Sequence, residues 1–264
     1  DYKLLLLDTN ALREIVLNND NSFLGFINRF IGNSNMYAPV FSIYNVIELF
    51  PYQDIYDNFI RVFSVVPCLM FLPYKIILNE EVNSLNNNRC FIINNKVAHA
   101  FTMLGSSSSY KLDIFMGKLW NDVELRNTIT SEIEGLDEIA KAWNETKRSF
   151  LRLNYKINLK KLYLKLEKSA IIKDLKNHNI KVEDKIDIKK LPGARIMEYS
   201  HFMRVYDRKK LVTRNDVMDV KMSCSVPYVD AVITEAYQAE LYRRAKSFIT
   251  QLKDLEIYKV SILK

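Results

Sequence analysis

Lys3-Leu4-Leu5-Leu6-Leu7-Asp8-Thr9-Asn10, near the start of the chain, is the stretch on which the fold class depends. Its unbroken apolar run is too short for an independent helix and stops at an Asp-Thr-Asn turn signal, which predicts a short strand buried on both faces. Strands of this kind form parallel sheets, and ligands bind at the carboxyl ends of such strands. Asp8 follows the predicted strand directly. It either serves a site at that edge or only caps the next helix, a common use of aspartate.

The composition indicates a globular protein with a basic surplus. The 264 residues suffice for one large domain or two small ones, and the hydrophobic content of 48% provides a sizeable core. The net charge of +7 favours an anionic partner without proving one. Three widely spaced cysteines and three histidines without ligand spacing argue against a disulfide framework and a zinc site. We therefore expect a protein of the reducing cytosol.

The sequence predicts no membrane attachment. The most apolar long stretch, residues 62–78, is interrupted by Pro67, Pro73 and Lys75. It is also shorter than the ~20 apolar residues that a spanning helix needs, so we expect a buried core segment. The first residues show neither a basic start nor a small-residue cleavage site, so we expect no signal peptide.

Strand and helix patterns alternate at both ends of the chain. Strands are predicted over 36–41, 230–235 and 256–263, in addition to the leucine run. Helices are predicted over 11–17 and 237–252, between Phe23 and Phe30, after an N-cap at Ser42, and after an N-cap at Thr213. Together with a helical middle region, this order indicates an α/β fold with a helical insertion.

The middle region divides by charge. Residues 104–109 are predicted to form a loop, and 111–147 carry helical patterning with an acidic cluster. From 148 to 195, lysines alternate with leucines and isoleucines, which predicts a basic amphipathic helix or helical hairpin. Its basic face is either a solvated helix surface or a surface that contacts phosphates, and both interpretations stay open.

Several carboxylates outside the middle region lie at or near element ends. Glu48 stands beside apolar residues in a helix that should face the core, where its charge is costly unless paired with a metal ion. The alternative is that Glu48 lies on an exposed flank of that helix. Asp216 and Asp219 share one helix face through their i,i+3 spacing, although a preference of helix N-termini for acidic residues could explain one of them.

If the strands are parallel, these carboxylates can converge on one edge of the sheet. The set comprises Asp8, Glu48, Asp216 or Asp219, and Asp230 or Glu235. Like charges brought close together require a cation or shared protons. Oxygen ligands without histidine or cysteine favour Mg²⁺ or Mn²⁺ over zinc. Carboxylates that hold such ions can activate water and stabilise the leaving oxygen of a phosphodiester.

Four stretches, taken together, resemble the motifs of PIN-domain nucleases. LLLLDTN (4–10) is similar to the opening strand of that family, whose first metal-binding Asp sits in a D-T/S-N setting. SIYNVIEL (42–49) is similar to the second motif, in which a Glu follows a Ser or Thr within a helix. NDVMD (215–219) and PYVDAVIT (227–234) resemble the third and fourth motifs, where an Asp opens a helix and a strand ends in Thr.

The chain departs from the family pattern at one position. Many members place an Asp two residues after the strand Thr, where this chain has Ala236, and Glu235 comes one residue early. The fourth carboxylate is then Asp230, or the fourth position is loose. The third position is also open, because the spacing to the strand favours Asp219 and the helix start favours Asp216.

The resemblance implies a PIN-like three-layer fold with a central, mainly parallel sheet. Its nuclease core would comprise residues 1–67 and 200–264, and residues 68–199 would form a mainly helical insertion with a basic C-terminal half. The implied activity is a metal-dependent endonuclease, most often of RNA, with Mg²⁺ or Mn²⁺ as cofactor. The implied metal ligands are Asp8, Glu48, Asp216, Asp219 and Asp230, and the implied catalytic residues are Asp8, Glu48, Asp219 and Asp230.

Many members of the resembled family act as growth-arresting or defence toxins. This implies an inhibitory or activating protein partner, or self-association into a homo-oligomer. Two alternatives stay open. One is a catalytically weak PIN-like scaffold that binds nucleic acid or protein, because Ala236 leaves the acidic set incomplete. The other is a structure-specific DNA nuclease, because the same carboxylate site suits either polymer.

Overall fold

The leucine run forms an interior strand of a six-stranded sheet. The computed structural model of the chain describes residues 2–17, 20–32, 36–102, 111–152, 158–207 and 210–264. The strands are β1 (Lys3–Leu7), β2 (Tyr37–Ser42), β3 (Cys68–Phe71), β4 (Ala98–Phe101), β5 (Ala231–Thr234) and β6 (Glu256–Lys259). Their order is β4-β3-β2-β1-β5-β6, and every pair is parallel except β3 with β4. The predicted α/β class and mainly parallel sheet are therefore confirmed.

Helices connect the strands and form most of the middle region. They are α1 (Thr9–Val16), α2 (Asp20–Phe26), α3 (Ile43–Leu49), α4 (Gln53–Phe63), α5 (Tyr74–Asn86), α6 (Leu112–Asn121), α7 (Val123–Arg152), α8 (Leu159–Asn177), α9 (Pro192–Tyr206), α10 (Arg214–Ser223) and α11 (Ala236–Ala245). A π-helical turn, Ile27–Ile31, follows α2, and the closing segment after β6 is a 3₁₀ turn, Val260–Leu263. Among the described helices, none is both long and apolar enough to cross a membrane.

Strand β1 is buried on both faces, as its sequence predicts. Leu5, Leu6 and Leu7 are at most 2% exposed. The strand lies between β2 and β5, and Leu7 stands opposite Ile233. This parallel register aligns the carboxyl ends of β1 and β5, so the residues that follow them emerge at the same edge of the sheet.

Two strands come from the range that was predicted to be a mainly helical insertion, residues 68–199. Strand β3 lies inside the apolar stretch expected to form buried core, and β4 pairs with it as an antiparallel edge strand. Each is four residues long, and β3 is defined by its pairing with β2, in which Val40 stands opposite Leu69. Such a long-range pairing leaves no local periodic signal. The loop predicted over 104–109 lies outside the described residues.

A buried carboxylate joins α5 to the start of α9. Glu81 is 1% exposed, and it accepts hydrogen bonds from the backbone N–H groups of Gly193 (2.7 Å) and Ala194 (3.1 Å) and from the Tyr228 hydroxyl. It thereby satisfies N–H groups that a helix N-terminus leaves unpaired. Burial raises the pKa of Glu81 to about 7. A Cβ atom at Gly193 would lie 2.7 Å from the Cys224 carbonyl oxygen, so this junction requires glycine.

We expect Gly193→Ala to lower the free energy of unfolding by roughly 1–3 kcal/mol, because the added methyl group overpacks the junction. Gly117→Ala is the matched control, since a Cβ there meets nothing within 4 Å. That control should raise the free energy of unfolding by about 0.5–1 kcal/mol, the usual gain for alanine over glycine inside a helix. Urea denaturation followed by circular dichroism measures both. Equal effects of the two substitutions would contradict the close approach at Gly193.

Candidate functional site

Asp8 lies at the carboxyl edge of the sheet and joins two elements there. Its Oδ1 accepts a hydrogen bond from the Ala11 N–H (2.7 Å), so the residue caps α1. Its Oδ2 accepts a hydrogen bond from the Glu235 N–H (2.9 Å), just after β5. The side chain is buried, and burial raises the pKa of Asp8 to about 6 although the hydrogen bonds oppose the rise. Asp8 therefore caps α1 and also lies at the carboxyl ends of β1 and β5.

Glu48 faces the same edge from α3. The helix begins with the predicted N-cap, Ser42, which forms a capping box with Asn45. The Asn45 amide donates to the Thr9 hydroxyl oxygen (3.0 Å), and that hydroxyl donates to Glu48. Glu48 is half-buried, and burial raises its pKa, with a further contribution from the negative charge of Asp8. The side chain therefore belongs to the site rather than to an exposed flank.

Asp216 has a structural role that explains its position. Thr213 caps α10 as predicted, and Asp216 completes the capping box by accepting from the Thr213 N–H (2.8 Å). The carboxylate is buried and also accepts a hydrogen bond from Arg204. These contacts account for an acidic residue here without any ligand.

Asp219, one turn further along α10, is the carboxylate that approaches Asp8. About a third of its side chain reaches solvent (32%), yet burial raises the pKa of Asp219 to about 8. The negative charges of Asp8 and Glu48 add to this rise, and the Arg204 guanidinium opposes it. The structure thus favours Asp219 over Asp216 as the third carboxylate of the site.

Asp8 and Asp219 line a common cavity of about 10 Å³, together with Thr234 and Gln238. A space of ~10–15 Å³ holds a single water-sized species. Gln238 is buried, and its Oε1 accepts a hydrogen bond from Arg204 (2.8 Å). The cavity therefore brings two carboxylates and a buried amide together within a lining that is otherwise mainly apolar.

Arg204, which sequence reasoning missed, supplies positive charge to the site. It lies in α9 and is 2% exposed. Its guanidinium donates to Asp216, to Asp219 Oδ2 (2.8 Å) and to Gln238 Oε1 (2.8 Å). No motif marks Arg204 in the sequence, because its role depends on the packing of α9 against α10.

Asp230 lies at the opposite edge of the sheet, which corrects its predicted place among the metal ligands and catalytic residues. It precedes β5, level with Leu4 at the start of β1. Its carboxylate accepts from the Leu4 N–H (2.7 Å), and its own N–H donates to the Leu4 carbonyl (3.0 Å). That level is four residue steps along the strand, roughly 13 Å, from Asp8.

Glu235, the alternative to Asp230, lies at the correct edge. It follows β5 directly, and its backbone N–H is the group that binds Asp8. Its carboxylate is exposed and accepts a hydrogen bond from the Asn10 amide. Parallel pairing explains the difference, since only residues after a strand reach the carboxyl edge.

The carboxylates at this edge offer oxygen ligands of the kind that Mg²⁺ and Mn²⁺ take, but they form no closed ligand cage. Within the described part of the chain, no three histidine, cysteine, aspartate or glutamate side chains are grouped closely enough to hold a metal. Mg²⁺ commonly retains several waters and binds through one or two carboxylates. Asp8 and Asp219 satisfy that requirement at the cavity they share, and Glu48 is near enough to interact with both electrostatically.

Comparisons of the chain with protein-family models, with curated proteins and with solved structures find no match. The resemblance to PIN-domain nucleases therefore depends on the four sequence motifs.

We expect Arg204→Met to lower the free energy of unfolding by roughly 3–5 kcal/mol at neutral pH, because it removes a buried guanidinium that pairs with both Asp216 and Asp219. Arg244→Met is the matched control, since Arg244 pairs with Asp207 (3.0 Å) at the surface. Loss of an exposed pair should cost no more than about 1 kcal/mol. Urea denaturation at pH 7 measures both, and equal losses would show that Arg204 does not stabilise the site.

Proposed function

We propose that the chain is a divalent-metal-dependent endonuclease with a PIN-like three-layer fold, which hydrolyses phosphodiester bonds, preferentially in RNA. One observation carries the proposal. Asp8, Glu48 and Asp219 come from three separate elements, yet Asp8 and Asp219 line one cavity and the Thr9 hydroxyl, next to Asp8, donates to Glu48.

The energetics of this arrangement favour a functional origin. Burial raises the pKa of each of the three carboxylates, and the charge of Asp8 adds to the rise at Glu48 and at Asp219. Perturbed groups in a cleft are typical of functional sites. Arg204 offsets part of the charge, yet the pKa of Asp219 remains high. A divalent cation is the natural complement to such a cluster.

The sheet topology also supports a site at this position. From β1 the strand order runs through β2 to β3 on one side and through β5 to β6 on the other. In open α/β sheets, ligands bind outside the carboxyl ends of the strands at the point where the order reverses. Asp8 follows β1 and Glu235 follows β5, so the candidate site lies at that reversal.

Each residue has a definite task under this proposal. Asp8 and Asp219 would bind the ion, and the N–H groups of Ala11 and Glu235 hold Asp8 in place. A bound Mg²⁺ or Mn²⁺ supplies positive charge to the phosphodiester and lowers the pKa of water. Glu48, oriented by the Thr9 hydroxyl, would accept the proton released by the attacking water. No covalent nucleophile on the protein is required.

A scaffold without catalytic activity is the second candidate. Two observations favour it, namely Ala236 at the usual position of the fourth acidic residue and the placement of Asp230 at the other edge of the sheet. A scaffold of this kind would bind nucleic acid or protein through the same face. A toxin or defence role, with a regulatory protein partner or self-association, and a cytoplasmic location belong to the nuclease proposal through its motif resemblance.

We expect the protein to cleave labelled single-stranded RNA with Mg²⁺ or Mn²⁺, and to cleave nothing in EDTA. Asp8→Asn, which keeps a good N-cap, should reduce the rate by more than the ~10–100-fold typical of groups that only support a metal ligand. Asp219→Asn should do the same. Asp230→Asn is the control and should retain activity, since this residue lies at the opposite edge. Gel electrophoresis of the products and circular dichroism of each variant provide the measurements.

Comparing RNA with DNA substrates distinguishes an RNA nuclease from a DNA nuclease and from an inactive scaffold. Faster cleavage of a single-stranded or branched DNA than of RNA would replace RNA by DNA as the substrate. Activity that survives in Asp8→Asn would refute the site assignment. Absence of cleavage with every metal, in a protein that still binds Mn²⁺, would favour the scaffold.

A further inference from the structure

A second cleft adjoins the carboxylate edge and shares Glu48 with it. Its volume is about 130 Å³, and its lining combines apolar side chains, including Ile47 and Met218, with a polar group. Besides Glu48, the polar residues of the lining are Arg13, Tyr52, Arg214 and Asn215. Clefts for drug-sized ligands usually measure ~300–1,000 Å³, so this one has room for a single unit of a polymer rather than for a whole small-molecule ligand.

The two arginines of the cleft interact only weakly with other side chains. The Arg13 guanidinium lies over the Tyr52 ring, 4.9 Å from its centroid, and its charge favours the ionised form of Glu48. Arg214 approaches Asp137 at 3.8 Å, but both side chains are about half exposed, so the pair is weak. Among the described residues, neither guanidinium is held by a buried ion pair, so both can turn toward a phosphate.

The chemistry of the lining matches a nucleic-acid strand. Arginine binds phosphate through its fork of donors and is more weakly hydrated than lysine. Tyr52 is 51% exposed beside the cleft, and its ring can stack on a base. Stacking of this kind requires an unpaired base, because the faces of duplex bases are covered by their neighbours.

We propose that this cleft is the subsite that holds a single strand next to the carboxylates, with Arg13 and Arg214 each on a backbone phosphate and Tyr52 on an unpaired base. As a route to cleavage the inference rests on the proposed nuclease function, whereas strand binding itself does not require catalysis. Glu48 lines the cleft and interacts electrostatically with Asp8 and Asp219, so a strand in the cleft would have its next phosphodiester directed toward those two carboxylates.

The lysine-rich groove along α8 is the main competing surface. It is open, measures about 660 Å³ and is lined by Lys165, Lys168, Lys173 and Lys176, together with Asp184. Lys176 is already paired with Asp184 at 2.8 Å. The groove has no aromatic side chain and none of the site carboxylates in its lining. We therefore expect its contribution to strand binding to be small.

Fluorescence anisotropy of a labelled 12-nucleotide RNA in EDTA tests the cleft. We expect Arg13→Gln/Arg214→Gln to weaken binding at least about tenfold. The slope of log K against log salt should fall by about 1.4, since each lost phosphate contact on a single strand changes it by ~0.7. Tyr52→Leu should weaken binding at least about fivefold and leave the salt slope unchanged.

Lys165→Gln/Lys168→Gln is the matched control, because it removes the same charge from the α8 groove. We expect it to bind within twofold of the unaltered protein. The proposal is overturned if the double arginine variant binds RNA as tightly as the unaltered protein does, or if the double lysine variant loses affinity instead. It is also overturned if duplex RNA binds as tightly as the single strand.

The same assay separates this inference from the nuclease proposal. Asp230→Asn should keep its RNA affinity in EDTA, since that residue lies at the opposite edge of the sheet, away from the cleft. If the double arginine variant loses RNA affinity and the unaltered protein cleaves no RNA, the subsite is supported and the nuclease function is rejected. If the double arginine variant binds RNA normally and the unaltered protein shows metal-dependent cleavage, the nuclease function is supported and the subsite is rejected.

Discussion

The repulsion among carboxylates at one edge of a parallel sheet is the constraint on which the remaining structure depends. Two kinds of partner offset this repulsion. Arg204 compensates the α10 carboxylates Asp216 and Asp219 by ion pairing. Asp8 and Glu48 are held by neutral donors instead, namely backbone N–H groups and the Thr9 hydroxyl. Neutral donors position a carboxylate without neutralising it, so the site keeps an excess of negative charge that a cation can use.

Helix α9 connects this site to the rest of the molecule. Its first turn is held by the buried Glu81 carboxylate and fits only because Gly193 lacks a Cβ. Its last turns carry Arg204 to α10. Residues 68–199, which the sequence predicted to be an insertion, therefore contribute to the core. They supply strands β3 and β4 and the Glu81 carboxylate that binds the start of α9, and they also form the open basic groove along α8.

Sequence reasoning succeeded where the signal is local. The leucine run, the N-caps at Ser42 and Thr213, and the positions of Asp8 and Glu48 follow from short patterns that the structure reproduces. It failed where strand register or long-range packing decides. The register of β1 with β5 moves Asp230 to the far edge, the four-residue strand β3 depends on its pairing with β2, and Arg204 acquires its role only when α9 packs against α10.

The proposed nuclease function requires a divalent cation bound at the carboxylate edge, between Asp8 and Asp219. Isothermal titration calorimetry with Mn²⁺ tests this binding without any substrate. We expect one saturable binding event for the unaltered protein, its loss in Asp8→Asn and in Asp219→Asn, and its retention in Asp230→Asn. Unchanged Mn²⁺ binding in Asp8→Asn, or no binding by the correctly folded unaltered protein, would contradict it.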